Sequence, residues 1–137
     1  MTVATPTPLL QLAGGRMVWR QQVRALRPDL PHGHADQQYA PDGYWSCWFY
    51  CPGCECAHRY QWHDGSVSAV PTPGIEPVWQ WNGSIEQPSF TPSLVCRGQR
   101  RCHLFVTDGQ IQFCGDSEHA LAGQTVPLPP LPDWLQD

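Results

Sequence analysis

Residues 51–58 (CPGCECAH) hold three thiols and an imidazole within eight residues. Cys51 and Cys54 flank a Pro-Gly turn, and this bend lets two thiolates reach one tetrahedral cation. Two further ligands are needed to close such a site. The downstream candidates are Cys102, His103, Cys114 and His119. The segment therefore predicts a zinc site assembled from distant parts of the chain, and this requirement constrains the fold more than any other feature.

Length and composition narrow the class of protein. The 137 residues predict one small domain, in which 15 Pro and 12 Gly keep the regular elements short. We find neither the pattern of a secretory signal peptide nor an apolar run long enough to cross a membrane. Seven Cys then favour a metal site in a reducing cytoplasm over disulfides. The net charge of −4 argues against a nucleic-acid partner.

Aromatic and alternating patterns predict two hairpins. Residues 44–50 and 59–62 form the first, with the Cys-rich turn as its loop, and residues 102–114 form the second around Asp108-Gly109. With a two-residue turn, Cys102 joins the apolar face of the second hairpin, and His103 lies opposite Cys114 on the other face. A three-residue turn would instead set Cys102 opposite Cys114. The sequence leaves both registers open.

These patterns predict a mostly β fold, either small β or α+β. We expect short antiparallel hairpins stapled by a zinc knuckle, as in zinc-ribbon and treble-clef proteins, with few helices. The predicted division of the chain has three parts. Residues 1–43 are an N-terminal extension, partly disordered or peripheral; residues 44–129 are the zinc-stapled domain; residues 130–137 are a Pro-rich tail.

The predicted zinc ligands are Cys51, Cys54, Cys102 and Cys114. Four thiolates would close the coordination shell and make the site structural. Replacement of one thiol by His58 or His119 is the main variant. An open site containing histidine would indicate metal catalysis instead, whereas unliganded Cys102 and Cys114 would be small buried hydrophobes.

Several motifs together resemble a known family. They are CPGCxCxH, WxWNGS, PSFTPS, CHLFVTDGQIQF and DSEHALAGQTVPLP, spread over about residues 44–129. This set resembles a small domain of unknown function that is common in bacteriophage genomes and often mislabelled "ammonia monooxygenase". That family is similar in turn to the peptidase component of the bacterial ubiquitin-like conjugation (Bub) operons. The resemblance implies a zinc-stabilised hydrolase of peptide or isopeptide bonds, with Ser93 as nucleophile and His103 as base.

The residues themselves are compatible with this chemistry. A serine nucleophile needs a neighbouring base, and that base needs an orienting group. Ser93 lies in an extended segment that can run beside the strand carrying His103, and Asp116 or His119 can orient the imidazole. Ser89 is an equally available hydroxyl, so the sequence does not decide between the two serines.

The leading hypothesis is a phage-encoded peptidase of the bacterial cytoplasm that acts on a protein tail or a ubiquitin-like conjugate, as a form of counter-defence. One alternative is a non-catalytic zinc module that binds a host protein through a groove at Trp79 and Trp81. Its sign would be the lack of any serine within reach of a histidine. The other alternative is a zinc-dependent hydrolase with His58, His103 or His119 as ligands.

Overall fold

The computed structural model describes residues 10–63 and 79–136. These ranges contain short strands and one 3₁₀ turn, and the predicted mostly β fold of antiparallel hairpins is confirmed. The strands are β1 (Gln11–Leu12), β2 (Met17–Ala25), β3 (Tyr39–Cys51), β4 (Cys56–His63), β5 (Gln80–Trp81), β6 (Phe90–Thr91), β7 (Leu94–Arg97), β8 (Arg101–Thr107), β9 (Gln110–Phe113) and β10 (Thr125–Pro127), and the 3₁₀ turn is Asp133–Leu135.

Two four-stranded sheets share one hydrophobic core. The first sheet has the order β1-β2-β3-β4 and the second has the order β10-β9-β8-β7, while β5 and β6 form a separate pair. Tyr60 on β4 stacks on Phe90 with ring centroids 4.4 Å apart. The Tyr60 hydroxyl also accepts a hydrogen bond from the backbone N–H of Val106 on β8 at 3.1 Å. This buried side chain therefore links the two sheets directly.

The Cys-rich turn is the loop of the predicted first hairpin. Strands β3 and β4 pair without interruption from Tyr44, opposite His63, to Cys51, opposite Cys56. Glu55 closes the loop in the left-handed region at φ 55°, and its N–H donates to the Cys51 carbonyl at 2.8 Å. The turn thus presents its thiols at the end of a regular ladder.

The second hairpin adopts the register expected for a two-residue turn. Leu104 lies opposite Phe113, and Asp108 and Gly109 form the turn with φ 50° and 76°, as a type I′ turn requires. Alternate side chains of a strand point to opposite faces of the sheet. Cys102 therefore faces the core, and its neighbour His103 faces outward.

The sheets and their core extend beyond residues 44–129 at both ends. Strand β2 lies within residues 1–43, yet it is an inner strand of the first sheet and buries Met17 and Trp19 completely. Val18 points the other way and is covered by Leu131 and Leu135 of the C-terminal segment. Because Met17–Trp19 are buried on both faces of the sheet, the start of β2 lacks the alternation that marks a half-exposed strand. Residues 1–9 lie outside the described residues.

The short strand β5 (Gln80–Trp81) is the first element after residues 64–78, which lie outside the described residues. Across residues 10–63 and 79–136, no helix has the length and apolar character needed to cross a membrane.

Candidate active site and metal group

Ser93, His103 and Asp116 form a continuous chain of hydrogen bonds. Ser93 Oγ lies 2.8 Å from His103 Nε2, and His103 Nδ1 lies 2.9 Å from Asp116 Oδ1. The fold explains the contact, because Ser93 directly precedes β7 and Val95 of β7 lies opposite His103 of β8. Asp116 follows β9, the other neighbour of β8. We refer to these three residues as the triad.

The backbone around His103 is fixed by the segment after β9. Ser117 Oγ accepts a hydrogen bond from the His103 N–H at 3.0 Å and donates one to its carbonyl at 2.8 Å. The same carbonyl also accepts the Cys114 N–H at 2.8 Å. These contacts hold the imidazole-bearing residue against the loop that carries Asp116, so the base and its carboxylate partner form one unit.

The carboxylate of Asp116 is half exposed, and two groups act on its charge. The hydrogen bond with His103 lowers the pKa of Asp116 below its usual value, and Arg101 lies nearby with its Nε 3.8 Å from Asp116 Oδ2. Such an exposed pair with arginine adds little stability. The carboxylate therefore remains ionised at neutral pH and can act on the imidazole.

The two candidate serines have different surroundings. The Ser93 carbonyl accepts a hydrogen bond from Trp79 Nε1 at 3.2 Å, which fixes the backbone beside the nucleophile candidate. Ser89 Oγ accepts the Asp108 N–H at 2.8 Å and donates to Asp108 Oδ1 at 3.4 Å, so its hydroxyl ties down the turn of the second hairpin. Within the described residues, Ser93 contacts a histidine and Ser89 does not.

Four donor side chains meet at the end of the first hairpin, on the core side of β8. The donor atoms of Cys51, Cys54, Cys102 and His119 all lie within 4.8 Å of one another. Cys102 Sγ lies 3.9 Å from Cys51 Sγ and 3.4 Å from His119 Nε2. We call these four residues the metal group. Three sulfurs and one imidazole nitrogen are a donor set that suits a tetrahedral metal ion.

The imidazole of His119 is seated between two neighbours. One is Phe113, whose ring meets it edge-on at a centroid distance of 4.6 Å. The other is Gly53 of the Cys-rich turn, where a Cβ atom would overlap the His119 ring. The lack of a side chain at Gly53 thus leaves room for the imidazole beside the thiols. The four residues therefore fit a bound metal.

Cys114 is not part of this group, although the sequence analysis includes it among the ligands. Its sulfur lies within 4.8 Å of donor atoms of His103 and Asp116, on the outer face of the second sheet. The register of the hairpin explains the difference, because Cys102 and Cys114 belong to opposite faces. His119, named in the sequence analysis both as a variant ligand and as a partner for His103, lies with the thiols and not with the triad.

Hydrogen bonds among the ionisable groups of this region set the charges of Cys51 and His58. A hydrogen bond with Cys102 outweighs burial and lowers the pKa of Cys51 to about 4. Burial opposes the charge of His58, but hydrogen bonds to Cys51 and Cys96 outweigh it and raise the pKa of His58 to about 11. Both shifts favour the thiolate form of Cys51, the form in which a cysteine binds a metal ion.

A groove of about 900 Å³ opens next to Ser93. It runs between β4 of the first sheet and β7 of the second, and Trp79 lies on its wall while Trp81 packs against Trp19 in the core at a ring distance of 5.2 Å. The residues that line it are Trp48, Cys56, Ala57, His58, Arg59, Trp79, Ser93, Leu94, Val95, Cys96, Arg97 and Gly98.

Comparison with known proteins identifies one family. The model of the family described as bacterial ubiquitination-like system serine protease (BubE) matches residues 16–114, well over half of the chain. No curated protein and no solved structure matches the chain significantly. The match spans Ser93 and His103 but ends before Asp116 and His119. The resemblance to the peptidase component of the Bub operons is confirmed, and the chain belongs to the BubE family of bacterial ubiquitination-like system serine proteases.

Proposed function

We propose that this chain is a serine peptidase in which Ser93 is the nucleophile, His103 the general base and Asp116 the orienting carboxylate. The observation that carries the proposal is the 2.8 Å contact between Ser93 Oγ and His103 Nε2, with Asp116 hydrogen-bonded to the other ring nitrogen. A serine hydroxyl is a weak nucleophile until an adjacent base accepts its proton, and the base works best when a third group fixes its tautomer.

The hydrogen-bond pattern determines the path of the proton. With Nδ1–H donating to Asp116, Nε2 has a free lone pair and takes the Ser93 proton as Oγ attacks the carbonyl carbon of the scissile bond. His103 then returns the proton to the leaving amine as the C–N bond breaks, which leaves an acyl ester on Ser93. Water, deprotonated by the same imidazole, hydrolyses the ester and restores the serine.

The substrate that we propose is a peptide or isopeptide bond at the tail of a ubiquitin-like protein or in its conjugate. Membership of a family of ubiquitination-like system proteases supports this class. The resemblance to phage proteins leads us to propose, further, a phage-encoded enzyme that opposes host conjugation in the bacterial cytoplasm.

We propose that the metal group binds Zn²⁺ through Cys51, Cys54, Cys102 and His119. Zinc at this site would supply folding energy by joining the first hairpin to β8, as four protein ligands leave no position for water or substrate. His119 thus replaces Cys114 in the ligand set expected from the sequence. Because Cys102 precedes His103 on β8, the ion would also fix the strand that carries the base.

The two alternative functions have less support. A non-catalytic binding module would lack a serine beside a histidine, whereas Ser93 contacts His103 and Trp81 is engaged in the core rather than in a groove with Trp79. A zinc-dependent hydrolase would need an open site with histidine ligands. His119 joins a complete set of four donors instead.

A fluorophosphonate probe, which reacts with activated serine hydroxyls, tests the proposal without knowledge of the substrate. We expect labelling at Ser93, identified by mass spectrometry, and none in Ser93→Ala. His103→Ala should slow labelling by about 10²- to 10⁴-fold, the usual contribution of a general base. Ser89→Ala is the matched control and should react like the parent. Equal labelling of Ser93→Ala and the parent would refute the assignment.

A further inference from the structure

The groove beside Ser93 is bounded by the outer strands of both sheets. Strand β4 ends the first sheet and β7 ends the second. Within the described residues, β7 pairs only with β8. In an antiparallel ladder, alternate residues direct their N–H and C=O groups towards the partner and the others direct them away. Part of the β7 backbone thus faces the groove with hydrogen-bonding groups that another chain can use.

Consecutive residues of one segment line the groove, from Ser93 onwards along β7. Residues 93–98 all contribute to it without a gap, so an extended chain lying there would pass the Ser93 hydroxyl and then run along β7. At about 3.3 Å per residue, this stretch accommodates about five residues of a strand. Val95 is 41% exposed, and Trp48 and Trp79 supply apolar walls.

We propose that the substrate binds as an added strand on the open edge of β7, with its scissile carbonyl at Ser93. This inference rests on the proposed function of the triad and specifies how its substrate is held. Main-chain pairing on a sheet edge provides affinity for an extended segment, and the neighbouring side chains provide specificity. The substrate class is therefore an unfolded tail or linker, and not the surface of a folded domain.

The charged residues of the groove indicate which side chain the bound tail carries. Two of the described residues that line it are arginines, Arg59 and Arg97, and none is acidic. Arg59 lies over the Trp48 ring at 5.5 Å on one wall, and Arg97 ends β7 on the other. Arg97 lies four positions beyond Ser93 in the sequence. A strand in register with β7 would thus place its residue about four positions from the scissile bond beside Arg97, and we assign an acidic side chain to that position.

A peptide library reveals this preference. The parent protein is incubated with tryptic peptides from a bacterial lysate, and new termini are identified by mass spectrometry. We expect enrichment of Asp and Glu on one side of the cut, at about the fourth position. Arg97→Glu should lower kcat/KM for acidic peptides about fivefold, in keeping with a surface ion pair, and should favour basic peptides. Arg24→Glu makes the same charge change on an exposed part of β2 and should leave the preference unchanged.

The backbone contact is tested on the best-cleaved peptide, synthesised with one N-methyl group at each position in turn. Strand addition predicts an alternating pattern, because only every second N–H faces β7. Methylation at the facing positions should lower kcat/KM about tenfold, the effect of losing about one hydrogen bond together with its geometry. At the intervening positions, the effect should be small.

The outcomes separate this inference from the proposed function. A methylation profile without alternation, or an acidic preference that survives Arg97→Glu, would overturn strand addition while fluorophosphonate labelling of Ser93 still supports the peptidase. Failure to cleave any peptide in the library would also overturn it, because an edge strand recognises the extended chain itself. Loss of labelling at Ser93 would refute the peptidase itself.

Discussion

Gly53→Ala tests the metal group through one added methyl group. Gly53 lies in the Cys-rich turn, and an ideal Cβ there would overlap the Cε1, Nδ1 and Nε2 atoms of His119. The ring has little freedom to retreat, because Phe113 meets it from another side with ring centroids 4.6 Å apart. The substitution should therefore push the imidazole away from the thiols of Cys51 and Cys102. The φ of Gly53 is outside the left-handed region, so the effect arises from the contact and not from the backbone.

The expected cost has two parts. Forcing an extra carbon into a filled space typically costs about 1–3 kcal/mol of the free energy of unfolding. Changing a residue that only supports a metal ligand weakens metal binding by roughly 10- to 100-fold. Displacing the ligand itself should weaken zinc binding by at least as much. Gly98→Ala is the control, since its Cβ would meet nothing within 4 Å. It should stay within about 0.5 kcal/mol of the parent, as most surface substitutions do.

Urea unfolding measures the loss of stability, and competition with a chromogenic zinc chelator measures the loss of zinc affinity. A double variant isolates the cause. In a His119→Ala background the ring is gone, so Gly53→Ala should then cost almost nothing in either assay. If Gly53→Ala is equally damaging with and without the His119 ring, the steric argument fails. If Gly53→Ala binds zinc like the parent, the assignment of His119 as a ligand fails as well.

Four further substitutions test other parts of the structure. Asp116→Asn should slow fluorophosphonate labelling by up to about 10⁴-fold, because an amide cannot stabilise the protonated base or enforce its tautomer; an unchanged rate would remove Asp116 from the triad. Cys114→Ser should keep a full equivalent of zinc by elemental analysis, whereas Cys102→Ser should lose it; the reverse result would restore the all-thiolate site. Tyr60→Phe removes the acceptor of the buried Val106 N–H and should lower the urea-unfolding free energy by about 1–3 kcal/mol; no change would mean that another acceptor replaces it.

The sequence predicted the parts of the molecule that follow short-range rules. Alternation in the second hairpin and the Asp108-Gly109 turn favoured the two-residue register without deciding it, and the structure adopts that register, with Leu104 opposite Phe113. In that register the same alternation places Cys102 and Cys114 on opposite faces of the hairpin, which argues against a site with four thiolates.

The parts that could not be predicted depend on contacts between distant segments. His119 reaches the thiols from an irregular segment after β9, and no periodicity indicates where such a segment returns. Strand β2 could not be predicted from the sequence for another reason. Val18 is covered by Leu131 from the far end of the chain, so the start of the strand is buried on both faces and its apolar residues Met17–Trp19 show no alternation.

Strand β8 connects the metal group to the triad. Cys102 and His103 are adjacent, so they must point to opposite faces of the sheet, one into the core and the other towards Ser93. Any ion that fixes Cys102 to Cys51 therefore fixes β8 relative to the first hairpin, which also forms one wall of the groove. Removal of zinc should thus abolish activity by shifting the base and the groove together, even though the metal group never touches the substrate. In this proposed arrangement, the thiols that dominate the sequence would set the positions of the much less conspicuous residues that we propose as catalytic.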